Sequence, residues 1–369
     1  MISRQVMTQN ELLFTLLFIL AVVLWALSRK TPSASKDGAK SGETHAISEK
    51  GGDMDGEYGP CEDSDWSKVK PIAYRPFKNM QHVAMGIKKM PKAEWIRIDQ
   101  GYLKRLDERN EIMDAYPAES IGSGPIVNPA IEELYEELMV RFLPKRFPAM
   151  FSLTGRTLLN RVTGKIYSVD LRQIDHDTML RNLGENIEED FYFMCPDDKG
   201  DLCLEGWIAC FPGGFLTTSR KGMSMRAIHQ PVPGYEQRIS KGADKTLARL
   251  RGWEFIERFN WSLQTDGPSL FRVDGNNYYP ELGQTIPQTE DDVQIDQCYL
   301  RVEHQTLVRL PKSQAVIFCV RSYMTTLQEI KEEGNGPLLA EASESMPHKL
   351  GDYKKRPFWQ TAVYRYLKS

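Results

Sequence analysis

The chain has 369 residues, 26% charged and 41% apolar, the mix of a globular protein with room for one large domain or two ordinary ones. A net charge of −3, with no basic stripe interleaved with aromatics, excludes a nucleic-acid binder that works by neutralising phosphates. The six cysteines (Cys61, Cys195, Cys203, Cys210, Cys298 and Cys319) form no Cys-x-x-Cys pair and are too sparse for a disulfide scaffold. That excludes zinc fingers and cysteine-held iron–sulfur clusters of the usual spacing, and it fits reduced thiols.

In chain order, residues 1–11 are a short tail before the apolar run Leu12–Leu27, broken only by Thr15. With Ser28 and the snorkelling Arg29 and Lys30, residues 12–28 are expected to be a transmembrane anchor. A cleaved signal peptide would need small residues where Trp25 and Leu27 stand. Arg29, Lys30, Lys36 and Lys40 follow the span and only Arg4 precedes it, so the large C-terminal part is expected to face the cytosol, on the endoplasmic reticulum. Residues 29–70 are rich in Ser, Gly and charge and read as a disordered tether. The folded domain is expected over 71–369.

Within it, Trp95, Ile98, Tyr102, Leu106 and Met113 share one helical face. In the next helix Asn128 reads as N-cap, Pro129 as the first helical position and Pro144 as the stop, with Ile131, Leu134, Tyr135, Leu138 and Phe142 on the apolar face. Two short strands are expected around Thr163–Gly164, and another in "LCLEGWIACF" before the Pro212-Gly213-Gly214 break. "WEFIERFNWSLQ", "CYLRVEHQTLVRL" and "AVIFCVRSYMTTL" read as strands, the last two joined through "PKSQ" as a hairpin. A terminal helix is expected in "YKKRPFWQTAVYRYL" despite Pro357. Strands succeed one another without regular helical crossovers, which makes the fold class α+β with an antiparallel sheet and flanking helices.

The usual catalytic signatures are absent: no Gly-rich phosphate loop, no His-Glu-x-x-His, no Gly-x-Ser-x-Gly. "EEDF" (Glu188–Phe191) and "TEDD" (Thr289–Asp292) offer paired carboxylates, of the kind that are usually solvated faces. In "RFNWSLQTD" strand alternation puts Asn260, Ser262, Gln264 and Asp266 on one face and Trp261 on the other. Four aligned polar groups need water, partners or a ligand. In "LRVEHQTLVRL" it puts Arg301, Glu303, Gln305, Leu307 and Arg309 opposite Val302, His304, Thr306 and Val308, so His304 is expected to point into the core. His229 stands in "RAIHQPVPGY", where Pro231 and Pro233 are expected to make a stiff, extended mount and Gly234 a sharp turn. Such a mount suits a metal ligand whose ring must be aimed, and equally a hydrogen-bonded core histidine.

Seven segments then occur in one order between Met90 and Leu327: "MPKAEW", "LPKRFP", "CFPGGF", "IHQPVPGY", "RFNWSLQTD", "LRVEHQTLVRLP" and "VRSYMTTL". Together they resemble the α subunit of the haem-dependent oxidative N-demethylases, the dimethylamine monooxygenase group, and its fungal relatives. The resemblance implies a PAS-like sheet that binds haem b and a monooxygenase reaction that turns an N-methyl group of a small amine into formaldehyde. It also implies electrons from a separate NADPH, flavin and iron–sulfur reductase. His229 is the best axial ligand on this reading, with His304 the alternative. Arg220, Lys221, Arg226, Arg309 and Arg321 are the cations on offer for the propionates, and Asn260, Ser262 and Gln264 would line the distal, catalytic side. Two axial histidines would instead close the iron and make the protein a sensor or electron carrier. An anchor, stem and globular domain is also the layout of a type II membrane glycosyltransferase of the mannosyltransferase kind, for which the sequon Asn260-Trp261-Ser262 is the one positive sign.

Overall fold

The computed structural model describes residues 58–61, 65–78, 85–279 and 292–369. The expected anchor, most of the tether and residues 289–291 of "TEDD" lie outside the described residues. Among the described residues, no helix is long and apolar enough to cross a membrane.

Among the described residues there are ten strands: β1 (Lys88–Lys89), β2 (Ile121–Gly122), β3 (Phe151–Thr154), β4 (Thr157–Asn160), β5 (Ile166–Ser168), β6 (Asp190–Pro196), β7 (Leu202–Ile208), β8 (Phe255–Gln264), β9 (Tyr299–Arg309) and β10 (Val316–Thr326). Seven form one sheet in the order β1-β8-β9-β10-β6-β7-β2, and β3-β4-β5 form a small second sheet. Every neighbouring pair in both sheets is antiparallel. The α+β expectation and the hairpin through "PKSQ" are thus both met.

The large sheet is covered on both faces, and this division positions the site. One face carries Phe255, Trp261, Val302, Val308, Ile317 and Cys319, which pack on Trp95, the helices Tyr102–Ala115 and Asn128–Tyr135, and the C-terminal helices. The other face carries Tyr192, Trp207, Ile256, Leu307, Val316 and Val320, and is covered by Phe215, Met225, Ile228, Leu247 and Leu250 from the long β7–β8 connection. Side chains alternate along a strand, so each residue's parity decides which chamber it joins.

Three local expectations are revised. The helix at Asn128 begins at that residue, with Val127 as its cap, and it does not stop at Pro144. A π-helical stretch, Glu136–Phe142, widens the backbone and leads into another turn, Leu143–Arg146, that contains the proline. Wider i→i+5 bonding is one way to absorb the N–H that proline lacks. The "EEDF" carboxylates are no solvated face: Glu188, Glu189 and Asp190 are all buried and paired with arginines. Finally, the end of the expected tether belongs to the fold. Tyr58 is buried against Phe142 with ring centroids 4.9 Å apart, Cys61 N donates to Arg146 O at 2.7 Å, and Trp66 meets the edge of Tyr102. The boundary at residue 70 therefore falls too late.

A candidate haem site on the inner face of the sheet

The expected extended mount of His229 is replaced by a helix end. Ser224 caps the short helix Met225–His229 by accepting from Ala227 N, and His229 is its last residue. Gln230 keeps helical φ and ψ although Pro231 follows, because the chain closes into turns at once: Val232 N donates to His229 O, and Tyr235 N to Val232 O. The preference that proline imposes on its predecessor is a bias, and these bonds outweigh it. Gly234 does turn sharply, at φ 80°. The result folds Tyr235 back onto the His229 ring, with centroids 4.7 Å apart and planes 16° from parallel.

The His229 Nδ1 donates to Met225 O at 2.8 Å. That bond fixes the tautomer and leaves Nε2 as the ring atom with an uncommitted lone pair. Burial, opposed by the Met225 carbonyl and reinforced by the charges of Arg258 and Arg220, holds the ring below its usual pKa. A neutral imidazole is the ligand form.

Register across the strands builds the floor of the same chamber. On β8 and β9, Arg258 is opposite Gln305, Asn260 opposite Glu303, and Ser262 opposite Arg301, and directly opposed residues share a face. Glu303 Oε2 accepts from Asn260 Nδ2 at 3.2 Å and from Gln305 Nε2 at 2.9 Å, while Arg258 Nη1 donates to Gln305 Oε1. Lys354, from the C-terminal region, reaches in to donate to Asn260 Oδ1 at 3.1 Å and to Trp261 O. Burial pushes its pKa down to about 8 against the pull of Glu303. An aromatic wall stands beside this floor: Tyr192 lies 6.1 Å from Phe215 and 6.0 Å from Phe318, and the Arg220 guanidinium rests 3.8 Å over the Phe215 ring.

The residues that the sequence pattern singles out separate cleanly. Asn260 and Ser262 lie on the face that His229 overlooks. Gln264 shares their parity but is spent on structure, its Nε2 donating to Gly267 O at 2.6 Å and Ser269 O at 2.8 Å. Arg309 holds three carbonyls, of Leu247, Leu250 and Gln314. Arg226 is exposed and bridges Glu236 and Asp244. Lys221 is exposed and donates to Ser123 O at 3.2 Å, near the Trp207 ring. Arg321 lies on the opposite face, bound to Asp99, Glu188 and Glu189. His304 is on that opposite face too, its Nε2 2.8 Å from Glu257 Oε2 and its ring in a three-ring cluster with Tyr74 and Phe259, which also touch each other. It does not face His229, because odd and even positions of β9 point to different chambers.

The sequence pattern does not single out Arg258, Glu303, Lys354 or Tyr235. Glu303 does carry a signal, since alternation puts it with Arg301 and Gln305. Nothing in the spacing of Lys354 marks it as buried.

A family model for the haem-dependent oxidative N-demethylase, alpha subunit-like proteins matches residues 86–364. The chain belongs to that family. It is a haem-dependent oxidative N-demethylase-like oxidoreductase, a different class from the glycosyltransferase alternative. The sequon offers that class no help, because the Asn260 Nδ2 that would carry a glycan is engaged by Glu303. The donor set fits haem: an aimed neutral imidazole with Nε2 uncommitted, arginines beside it, and an aromatic wall.

Proposed function

We propose that this family member binds haem b through His229 Nε2 and carries out oxidative N-demethylation of a small amine, with release of formaldehyde. The observation behind the reading is the Nδ1 bond to Met225 O, which aims the ring and frees its other nitrogen. When bound there, the haem would supply oxygen activation and the oxidation of the N-methyl carbon. Arg220 and Arg258, the two cations whose charges bear on His229, would hold the propionates, with Lys221 at the outer end of the same loop. Tyr192, Phe215 and Phe318 would keep water from the reacting side. Asn260 and Ser262 would orient the amine by hydrogen bonds from the sheet.

Electrons would come from a separate NADPH, flavin and iron–sulfur reductase. The PAS-like reading of the fold is supported by strand order: β6 and β7 pair first, and the chain then crosses to the far edge and returns through β8, β9 and β10 to lie beside β6. The run Leu12–Leu27 would tether the domain to the cytosolic face of the endoplasmic reticulum. Protease added to intact microsomes would then digest the domain, and protection would reverse the orientation.

The deciding experiment is an absorbance spectrum of the purified full-length protein after haem loading. A Soret band that shifts when carbon monoxide is added to the ferrous form, and that His229→Ala removes or displaces, is the expected outcome. A protein that takes up no haem, or one whose spectrum ignores His229→Ala, would sink the reading.

A further inference from the structure

Residues 220–251 of the β7–β8 connection, which cover the chamber, do not share the charge of the rest of the chain. They carry eight arginines and lysines against two carboxylates, Glu236 and Asp244, in a protein whose net charge is −3. Both carboxylates are taken by one residue, Arg226, at 2.9 and 2.7 Å. Arg238, Lys241, Lys245 and Arg249 are exposed and have no ion pair among the described residues. Lys241, Lys245 and Arg249 stand four residues apart on the helix Ser240–Arg249 and form one stripe, and Arg238 precedes it by less than a turn. Leu247 of the same helix points inward and joins the cluster of Ile256 and Leu307 on the sheet. The stripe continues onto the sheet edge. Gly242 lies against Met85, whose Cε an added Cβ would approach to 3.2 Å, and Met85 leads into β1 with its exposed Lys88.

Such a surface works against the helix that carries it. Like charges four residues apart destabilise a helix, and Asp244, three residues from Lys241, is held by Arg226 instead. No large apolar side chain is exposed between residues 220 and 251, so nothing there stacks on a base or wedges into a bilayer. Unpaired cations without apolar anchors suit a transient, charge-steered contact with an acidic protein surface, the kind that electron-transfer partners make. The position says what that protein brings. Arg226 is one helical turn before His229, so the segment that shows its cations to solvent also carries the proposed axial ligand. Oxidative demethylation of one N-methyl group takes up O2, two electrons and two protons and yields the demethylated amine, formaldehyde and water. The two electrons must reach the site from outside the chain.

We infer that the stripe of Arg238, Lys241, Lys245 and Arg249, with Lys88 beside it, is the docking surface for the acidic face of an electron-donor protein. Electrons enter across the segment that holds His229. In each encounter one electron leaves the donor's reduced iron–sulfur centre and one is gained at the site, so two encounters complete a turnover. The inference rests on the haem-dependent demethylase reading and adds to it the place and the charge of the partner.

The test takes an acidic two-iron ferredoxin of the plant type as the probe donor. It is mixed in reduced form with the haem-loaded full-length protein under carbon monoxide, and reduction is read from the Soret shift. Ferredoxin binding should weaken at least about tenfold between about 20 and about 200 mM KCl. Reversing three charges together, Lys241→Glu, Lys245→Glu and Arg249→Glu, should slow reduction by ferredoxin at least about tenfold at the lower salt. Reversing three exposed lysines outside the β7–β8 connection, Lys70→Glu, Lys104→Glu and Lys349→Glu, should change it by less than about twofold. Dithionite, which needs no docking, should reduce all three proteins alike. Equal ferredoxin rates in the two triple variants overturn the docking surface, and normal reduction by dithionite then leaves the haem reading standing. A stripe that sediments with vesicles of phosphatidylserine and phosphatidylcholine but ignores ferredoxin also overturns it, in favour of a membrane surface. A protein that takes up no haem brings down both.

Discussion

His229 and Tyr235 lie ring on ring, six residues apart in sequence, because the chain between them reverses at Gly234. The pair is therefore a measure of how well the turn aims the imidazole. Replacing Gly234 by alanine forces a side chain into the left-handed region, at a cost of about 1 kcal/mol. We expect Gly234→Ala to lose haem faster than the unaltered protein when apomyoglobin competes for it. Gly222→Ala, strained in the same way at φ 75°, should lower stability alone. Equal haem retention in both variants would mean that the turn does not position the ring.

His304 makes the complementary case. It is a buried histidine with a carboxylate at 2.8 Å, which looks like a functional signature until its face is considered. His304→Gln should cost about 1–3 kcal/mol, the range for a disturbed buried hydrogen bond. The Soret position of the loaded protein should not move. A displaced band or a lost haem would assign His304 to the iron.

Periodicity carries information about some of this fold and not the rest. Strand alternation sorts β9 correctly, so Glu303 and His304 part company on sequence parity alone. What alternation withholds is which chamber holds the ligand, because both faces of the sheet are buried. Arg321 and Arg309 look like free cations for the same reason: a guanidinium that binds carbonyls and one that awaits a propionate are the same letter. Lys354 is invisible in the sequence because its burial depends on the C-terminal region meeting the end of β8, a contact between residues 93 apart. The extended mount expected for His229 fails because a proline's preference about one neighbouring dihedral weighs less than the bonds that close the turn.

The folded part reaches back to Tyr58, and that has a direct consequence. A chain beginning at Pro71 would lose the Tyr58–Phe142 stack, the cations over the Tyr58 ring, and the Trp66–Tyr102 contact. Deleting one buried aromatic typically costs about 3–5 kcal/mol. Chemical denaturation should therefore show the chain beginning at Pro71 to be several kcal/mol less stable than one beginning at Met54. Matching midpoints would put the boundary back at residue 70.

Arg321 offers the sharpest test of the far chamber. One guanidinium faces three buried carboxylates, Asp99 at 2.7 Å, Glu188 at 2.9 Å and Glu189 at 3.5 Å. Burial is the largest influence on Glu188 and raises its pKa to about 7, with Arg321 pulling the other way. A carboxyl with a raised folded pKa binds its proton more tightly in the folded state than in the unfolded chain, where it titrates near about 4.3. Its contribution to stability is thus full below that value and is lost as the pH climbs through about 7. Glu188→Gln keeps the shape and a hydrogen-bonding group but cannot titrate. Denaturation between pH 4.5 and 7.5 should show the unaltered protein losing on the order of 1–3 kcal/mol relative to Glu188→Gln as the pH rises. Parallel curves would mean that Glu188 stays ionised in the fold across this range, its charge fully held by Arg321.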